Sequence, residues 1–176
     1  MNDMTLPSGP CHRRHIHRHR ITFSECDPAK IVFFANYLVW FDTASREFFV
    51  ACGIPSWHVT EEERGIIGTP VLDVQCKFLN SATYGEDIEI ETTVEQWNNK
   101  TFVMHHTARR GDTVLAEGRE VRLFAVRDPD NPKRIKSIPV PEDIKSACVG
   151  CRQAACGVCV TEGAVTELPV ATARGA

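Results

Sequence analysis

The spacing of apolar residues changes along this chain, from the period of a helix over 36–52 to the period of strands from Thr69 onward. Over residues 36–52 they recur at three- and four-residue steps, which predicts an α-helix with a broad apolar face. Gly53 and Pro55 follow, and both are typical of a helix end. From Thr69 onward apolar and polar residues alternate, which predicts strands with two different faces.

Turn residues divide the alternating region into hairpin-linked strands. A further strand is predicted before the long helix, over 15–23, and a shorter helix is predicted over 56–64 with Ser56 as a candidate N-cap. One strand, one long helix and a run of strands predict an α+β domain, in which an antiparallel sheet packs on the helix. The later strands are predicted at 72–78, 88–94, 101–109, 113–127 and 134–138.

Composition favours one cytoplasmic domain. The chain has 176 residues, 43% of them hydrophobic, and a net charge of −3, which indicates no general attraction to nucleic acid or to an anionic membrane. No apolar run has the length of a membrane span, and residues 1–10 lack the apolar stretch of a secretory signal. We expect a flexible leader at 1–14, a domain at 15–147 and a flexible, cysteine-rich tail at 148–176.

Asp27 stands between the first strand and the long helix, directly before Pro28. A carboxylate there lies near the N-terminus of the helix, where free N–H groups and the helix dipole suit a developing negative charge. A carboxylate beside such an oxyanion site is sufficient for acyl transfer. Asp before Pro is also common as a turn former or helix cap, and from spacing alone both interpretations stay open.

The segment FSECDPAKIVFFANY at 23–37 resembles the 4-hydroxybenzoyl-CoA thioesterase family of hot-dog-fold enzymes. The similarity covers roughly residues 17–145 and continues through WFDTASR at 40–46, CGIPSW at 52–57, ERGIIGTP at 63–70 and WNNKTFV at 97–103. This resemblance implies a hot-dog fold, with the sheet wrapped around the long helix. It also implies hydrolysis of an aromatic acyl-CoA to the carboxylic acid and free CoA.

The resemblance also assigns roles to individual residues. Asp27 matches the position of the family's catalytic carboxylate, which acts as nucleophile or general base, and the backbone N–H of Phe34 is the candidate oxyanion donor. Asp42 matches an acid that meets the phenol hydroxyl of the substrate, although a carboxylate within a helix otherwise faces water. Thr69, contributed by a neighbouring subunit, and Trp40 of the aromatic-rich helix complete the expected acyl pocket.

Basic residues are expected around the anionic CoA nucleotide. Lys100, Thr101 and Lys136 match CoA-binding positions, while the asparagines at 98–99 replace two arginines of the family pattern. In the turn after Asp27, Lys30 stands where the family often has Gly. No resident cofactor is expected, because CoA is part of the substrate, and the family's dimer of dimers implies a homotetramer.

Two other classes of function remain open from sequence. One is a thioesterase for short aliphatic acyl-CoA or acyl-carrier-protein substrates. The other is a non-catalytic acyl-CoA-binding or metal-responsive protein, against which Asp27 argues.

Two segments carry metal-ligating residue types. The tail motif Cys148-x2-Cys151-x4-Cys156-x2-Cys159 could supply thiolates to zinc or to an iron–sulfur cluster, but its central gap is short for one tetrahedral site. The histidines at 12, 15, 17 and 19 form a second tract, which we interpret as a solvated strand edge. We expect no metal, and we expect truncation after Ala147 to leave a folded, active enzyme.

Overall fold

The computed structural model of the protein describes residues 13–149. Its sheet has seven strands, all paired antiparallel, in the path β1-β4-β5-β6, with β2, β3 and β7 also paired to β6. The strands are β1 (Arg14–Arg20), β2 (Ile66–Gly68), β3 (Val71–Phe78), β4 (Asp87–Trp97), β5 (Thr101–Arg110), β6 (Thr113–Asp128) and β7 (Asn131–Ile138). The helices are α1 (Ala35–Ala51), α2 (Trp57–Arg64) and α3 (Glu142–Cys148).

Helix α1 supplies the apolar face that the sheet covers. It contacts β1, β4 and β6, and its buried residues are Tyr37, Trp40, Phe41, Ala44, Ser45, Phe48 and Phe49. Six of these seven side chains are apolar or aromatic, so their burial is the main stabilisation of the helix on the sheet. The predicted α+β architecture and the predicted long helix are confirmed.

Gly118 sets how closely β6 approaches α1. A Cβ atom added at Gly118 would lie 2.6 Å from Cδ2 of Phe41, which is closer than real side chains allow. The Phe41 ring is fully buried and stacks on His106, with ring centroids 4.8 Å apart. Glycine is therefore required at this position for packing rather than for its backbone conformation.

The histidines of β1 face α1 instead of solvent. His15 Nε2 and His17 Nδ1 lie 3.2 and 2.8 Å from the same carboxylate oxygen of Glu47, while Ile16 between them is 38% exposed. The solvated-edge interpretation was therefore wrong for His15 and His17, because α1 covers that side of the strand. His12 lies outside the described residues.

Several boundaries differ from the sequence-based expectation. Strand β1 ends at Arg20, and 23–25 form a 3-10 helix rather than the end of the strand. The short strand β2 and helix α3 were not predicted, and Ser56 does cap α2, as expected, by accepting a hydrogen bond from the N–H of Val59. None of the helices within 13–149 is long and apolar enough to cross a membrane.

Candidate active site

Asp27 lies in a tight turn between the 3-10 helix and α1. Its N–H donates to the carbonyl of Ile31 at 2.9 Å, and its carbonyl accepts from the N–H of Lys30 at 2.8 Å. The side-chain atom Oδ1 accepts a hydrogen bond from the N–H of Ala29 at 2.8 Å. The Asp-Pro pair thus forms the turn that its residue types favour, and this turn holds the half-buried carboxylate at its start.

Lys30 adopts the left-handed backbone conformation within this turn, with φ 64°. That conformation costs an L-residue about 1–2 kcal/mol. Hydrogen bonds hold it in place here, since the N–H of Lys30 binds Asp27 and its carbonyl accepts from the hydroxyl of Thr83 at 2.7 Å. Lysine is therefore accommodated in this turn, at the position where the resemblance led us to expect glycine.

The N-terminus of α1 follows this turn closely. Phe34 is the N-cap residue, and its side chain makes no capping hydrogen bond. The preceding chain is fixed by Glu25, whose carbonyl accepts from the N–H of Phe33 at 2.9 Å and from Nδ2 of Asn36 at 2.7 Å. Among the hydrogen bonds found for this segment within 13–149, none is donated by the N–H of Phe34.

Glu25, two residues before Asp27, has a structural role. Its carboxylate accepts hydrogen bonds from the Thr22 N–H at 2.7 Å and the Trp40 indole N–H at 2.9 Å, and it contacts His19 Nε2 at 3.0 Å. Burial raises the pKa of Glu25, but these hydrogen bonds outweigh it and lower the pKa to about 2. A carboxylate so fully engaged is poorly suited to attack a carbonyl or accept a proton.

Trp40 is part of the core in this chain. It is 4% exposed, donates to Glu25, and packs against the rings of His19 and Tyr37. Its predicted contact with the acyl group is untested and stays a prediction.

Asp42 and Thr69 meet at one cavity of about 300 Å³. The Asp42 carboxylate is 68% exposed, yet its Oδ1 accepts a hydrogen bond from Nη2 of Arg122 at 2.7 Å. Nη1 of the same arginine donates to the carbonyl of Thr69 at 3.0 Å. The cavity is lined by Asp42, Arg46, Trp57, Ile67, Gly68, Thr69, Pro70 and Arg122.

Two buried charged residues behind this cavity were missed from sequence. Glu120 and Arg122 are 2% and 3% exposed, and Arg122 Nε donates to Glu120 Oε2 at 2.8 Å. They alternate in β6 with residues of the opposite face, between buried Gly118 and buried Phe124. Opposite charges two residues apart on the apolar face of a strand are the signal that could have identified this pair.

Asp27 and the cavity are separate within one chain. The structure brings Asp42 together with Thr69 at one cavity, and it places Asp27 in the turn that precedes Phe34, the N-cap residue of α1. Neither Asp27 nor Phe34 lines the Asp42 cavity.

The predicted CoA-binding residues lie at two hairpins. Lys100 and Thr101 are at the exposed β4–β5 turn, where the Thr101 hydroxyl accepts from Nδ2 of Asn98 at 3.1 Å. Lys136 in β7 lies 3.0 Å from a carboxylate oxygen of Asp128. The CoA-binding assignments of these three residues stay predictions.

The tail cysteine motif lies only partly within the described residues. Within 13–149 no group of three or more His, Cys, Asp or Glu side chains is arranged to hold a metal ion. Cys148 is buried at the end of α3, while Cys151, Cys156 and Cys159 lie outside the described residues. The expected absence of a metal therefore stays a prediction.

Comparison with known proteins identifies the family. The profile of the thioesterase-like superfamily matches residues 21–148, which is most of the chain. The chain belongs to the thioesterase-like superfamily. The 4-hydroxybenzoyl-CoA thioesterase of Pseudomonas sp. (strain CBS-3) is 42% identical over 134 residues, covering 73% of this chain and 93% of that protein.

Solved thioesterase structures share the fold. An aspartate-to-asparagine mutant of 4-hydroxybenzoyl-CoA thioesterase, complexed with 4-hydroxybenzoyl-CoA, superimposes with a TM-score of 0.74 at 38% identity, over 77% of this chain and 99% of the other. A gentisyl-coenzyme A thioesterase gives a TM-score of 0.65 at 26% identity, over 77% of this chain and 100% of the other. The sequence-based recognition is confirmed: this member of the superfamily has the hot-dog fold and is an acyl-CoA thioesterase.

Proposed function

We propose that this thioesterase hydrolyses an aromatic acyl-CoA of the 4-hydroxybenzoyl type to the carboxylic acid and free CoA. The observation that carries the proposal is the Asp42–Thr69 cavity, found in a chain 42% identical to a 4-hydroxybenzoyl-CoA thioesterase. The Asp42 carboxylate uses Oδ1 for Arg122. Its other oxygen is then an acceptor for a ring hydroxyl or amino group, and a bound ring without such a donor would cover this acceptor and leave it unpaired.

In this proposal Asp27 performs the chemistry. Its carboxylate either attacks the thioester carbonyl or removes a proton from the attacking water, and both routes consume one water and release the thiol of CoA. The N–H of Phe34, at the positive end of the 17-residue helix α1, stabilises the oxyanion. The solved complex of a relative with 4-hydroxybenzoyl-CoA, formed by an aspartate-to-asparagine mutant, supports a role for an aspartate in turnover.

The complete site would be formed between subunits. Asp27 of one subunit would face the Asp42–Thr69 cavity of another, since the two do not meet within one chain. Strand β3 pairs with β6 only within 13–149, and its exposed apolar residues are Val71, Leu72, Val74 and Phe78. An edge strand of this kind is suited to pairing with a second copy. We propose the homotetramer expected from sequence, which sedimentation would test.

CoA binding is the remaining part of the proposal. Lys100, Thr101 and Lys136 would contact the nucleotide, and Lys136 would exchange its ion pair with Asp128 for a phosphate. The reaction would need no resident cofactor or metal, and we propose a cytoplasmic location.

A panel of acyl-CoA substrates tests the proposal directly. Hydrolysis of 4-hydroxybenzoyl-, 4-aminobenzoyl-, benzoyl-, acetyl- and palmitoyl-CoA would be followed by thiol release. We expect the highest kcat/KM on the hydroxy- or amino-substituted ring. A higher value on an aliphatic thioester would refute the aromatic assignment, and hydrolysis of none would refute the catalytic one.

Asp42→Ala tests the recognition step. It should lower the preference for 4-hydroxybenzoyl-CoA over benzoyl-CoA about tenfold, the effect of about 1.4 kcal/mol in one hydrogen bond. Asp112→Ala removes an exposed aspartate from the β5–β6 turn and is the matched control. An unchanged preference in Asp42→Ala would show that Asp42 does not recognise the ring substituent.

A further inference from the structure

Arg122 connects three elements that form the acyl cavity. Its guanidinium donates to Glu120 in β6 at 2.8 Å, to the Thr69 carbonyl between β2 and β3 at 3.0 Å, and to Asp42 in α1 at 2.7 Å. The Arg122 side chain is 4% exposed, whereas Asp42 is 68% exposed. A buried cation therefore holds a carboxylate at the cavity from behind.

Glu120 is fixed in turn by two further buried residues. Its Oε2 accepts a hydrogen bond from the Ser45 hydroxyl at 3.1 Å and lies 3.2 Å from Nε2 of His106. Nδ1 of His106 lies 2.9 Å from the hydroxyl of Thr92. An ionised carboxylate only accepts, so Nε2 of His106 carries a proton. Burial lowers the pKa of His106, so the ring is neutral and the Thr92 hydroxyl donates to Nδ1.

This network sets the charge at the cavity. One cation, Arg122, faces two carboxylates, Glu120 and Asp42. Glu120 balances the positive charge of Arg122 from within the core. The Asp42 carboxylate is therefore still able to accept a further hydrogen bond. Arg46 also lines the cavity, but its guanidinium lies over the ring of Trp57, 5.0 Å from the centroid.

We propose that Arg122 is the positioning residue that makes this thioesterase select an acyl ring with a hydrogen-bond donor, by holding Asp42 through Oδ1 and fixing Thr69 beside it. The inference rests on the proposed function and adds to it the reason why Asp42 discriminates. Arginine is required because its planar fork reaches three acceptors at once, whereas the three donors of lysine share a single nitrogen. A pocket built in this way accepts a hydroxyl or amino group rather than an anionic substituent.

Arg122→Lys is the central test, because it retains the charge and removes the fork. We expect the ratio of kcat/KM for 4-hydroxybenzoyl-CoA over benzoyl-CoA to fall about fivefold or more, because kcat/KM on benzoyl-CoA falls by the smaller factor. Arg119→Lys is the matched control from the same strand, where Arg119 pairs with Glu95 at the surface. It should leave the ratio unchanged.

A double-variant cycle separates positioning from general damage to the fold. In an Asp42→Ala background, Arg122→Lys should change the ratio less than about twofold, since the residue that it positions is absent. The inference would be overturned if Arg122→Lys lowered kcat/KM equally on every substrate. It would also be overturned if Arg122→Lys lowered the ratio as much in the Asp42→Ala background as in the wild type. If Arg122→Lys does not fold, Glu120→Gln is tested in its place. That variant removes the negative charge that balances Arg122, and it should lower the same ratio.

The outcomes also separate this inference from the proposed function. A wild-type enzyme without preference for the substituted ring would refute the proposed function and the inference with it. A wild-type preference that survives Arg122→Lys, or Glu120→Gln where that variant is used, would refute the inference alone.

Discussion

The two aspartates of the candidate site are held in different ways. Asp27 receives a hydrogen bond from Ala29, only two residues along the chain, whereas Asp42 is held by Arg122, 80 residues away. The first contact is a neutral N–H and the second is a buried cation. A carboxylate oxygen that accepts a hydrogen bond from a cation is occupied, which leaves it less free to attack a carbonyl. The turn is therefore suited to chemistry and the cavity to recognition.

Asp27→Asn should give the largest effect. Asparagine retains the turn-forming side chain but removes nucleophile and base, so kcat should fall at least ~100-fold while substrate still binds. Stopped-flow thiol release and binding of 4-hydroxybenzoyl-CoA would measure the two quantities. Near-normal kcat would remove Asp27 from the mechanism.

Glu25→Gln is the matched control for that variant. Glu25 is also a carboxylate near the turn, but it binds Thr22, Trp40 and His19. Its loss should lower the thermal midpoint and leave kcat of the folded enzyme within about tenfold of wild type. The opposite pattern, a stable protein with abolished turnover, would assign the chemistry to Glu25.

The same contrast explains what could be predicted from sequence. The turn is local: the Asp-Pro pair and the helical period after it predicted both the turn and α1. Glu120 and Arg122 were missed because their roles depend on α1, β6 and the loop before β3 meeting in space. Strand β2 has only three residues, too few for a period to show, and α3 begins without a side-chain cap.

Acid should destabilise the protein by protonating two structural carboxylates. One is Glu25, near the Asp27 turn, and the other is Glu120, beside the Asp42 cavity. Burial raises the pKa of Glu25 and Glu120, but hydrogen bonds outweigh it and lower both from 4.5 to about 2. Each folded-state pKa is below the unfolded value, so the stabilisation is complete above about pH 4.5 and is lost as the pH falls toward 2.

Urea unfolding between pH 7 and pH 3 would measure this dependence. Glu120→Gln should flatten the decrease in the free energy of unfolding more than Glu25→Gln, because the Glu120 side chain is 3% exposed and that of Glu25 is 19% exposed. A Glu120→Gln protein with the acid profile of the wild type would show that the pKa of this carboxyl does not fall on folding.

Gly118→Ala should destabilise the packing of β6 against α1. The new Cβ would collide with the buried ring of Phe41, and such overpacking destabilises proteins by about 1–3 kcal/mol. Chemical denaturation would measure the loss. In a Phe41→Leu background the added methyl should cost less, and equal losses in both backgrounds would place the strain elsewhere.

The smallest effect should come from removing the tail. Every strand found within 13–149 and all of α1 precede residue 148, so we expect truncation after Gly150 to leave the thermal midpoint and kcat nearly unchanged. Truncation after Ala147 removes Cys148, which is 1% exposed and whose carbonyl accepts from the N–H of Arg13 at 3.4 Å. That shorter variant should lose about 1–2 kcal/mol of stability but remain folded and active.

Cys148→Ala in the full-length chain is the matched comparison, because it deletes the buried thiol and leaves the backbone in place. It should reproduce part of the loss seen on truncation after Ala147. If truncation after Gly150 instead abolishes the oligomer or the activity, the cysteines beyond α3 contribute to the working enzyme. Stoichiometric zinc or iron in the intact protein would separately overturn the expectation that no metal is bound.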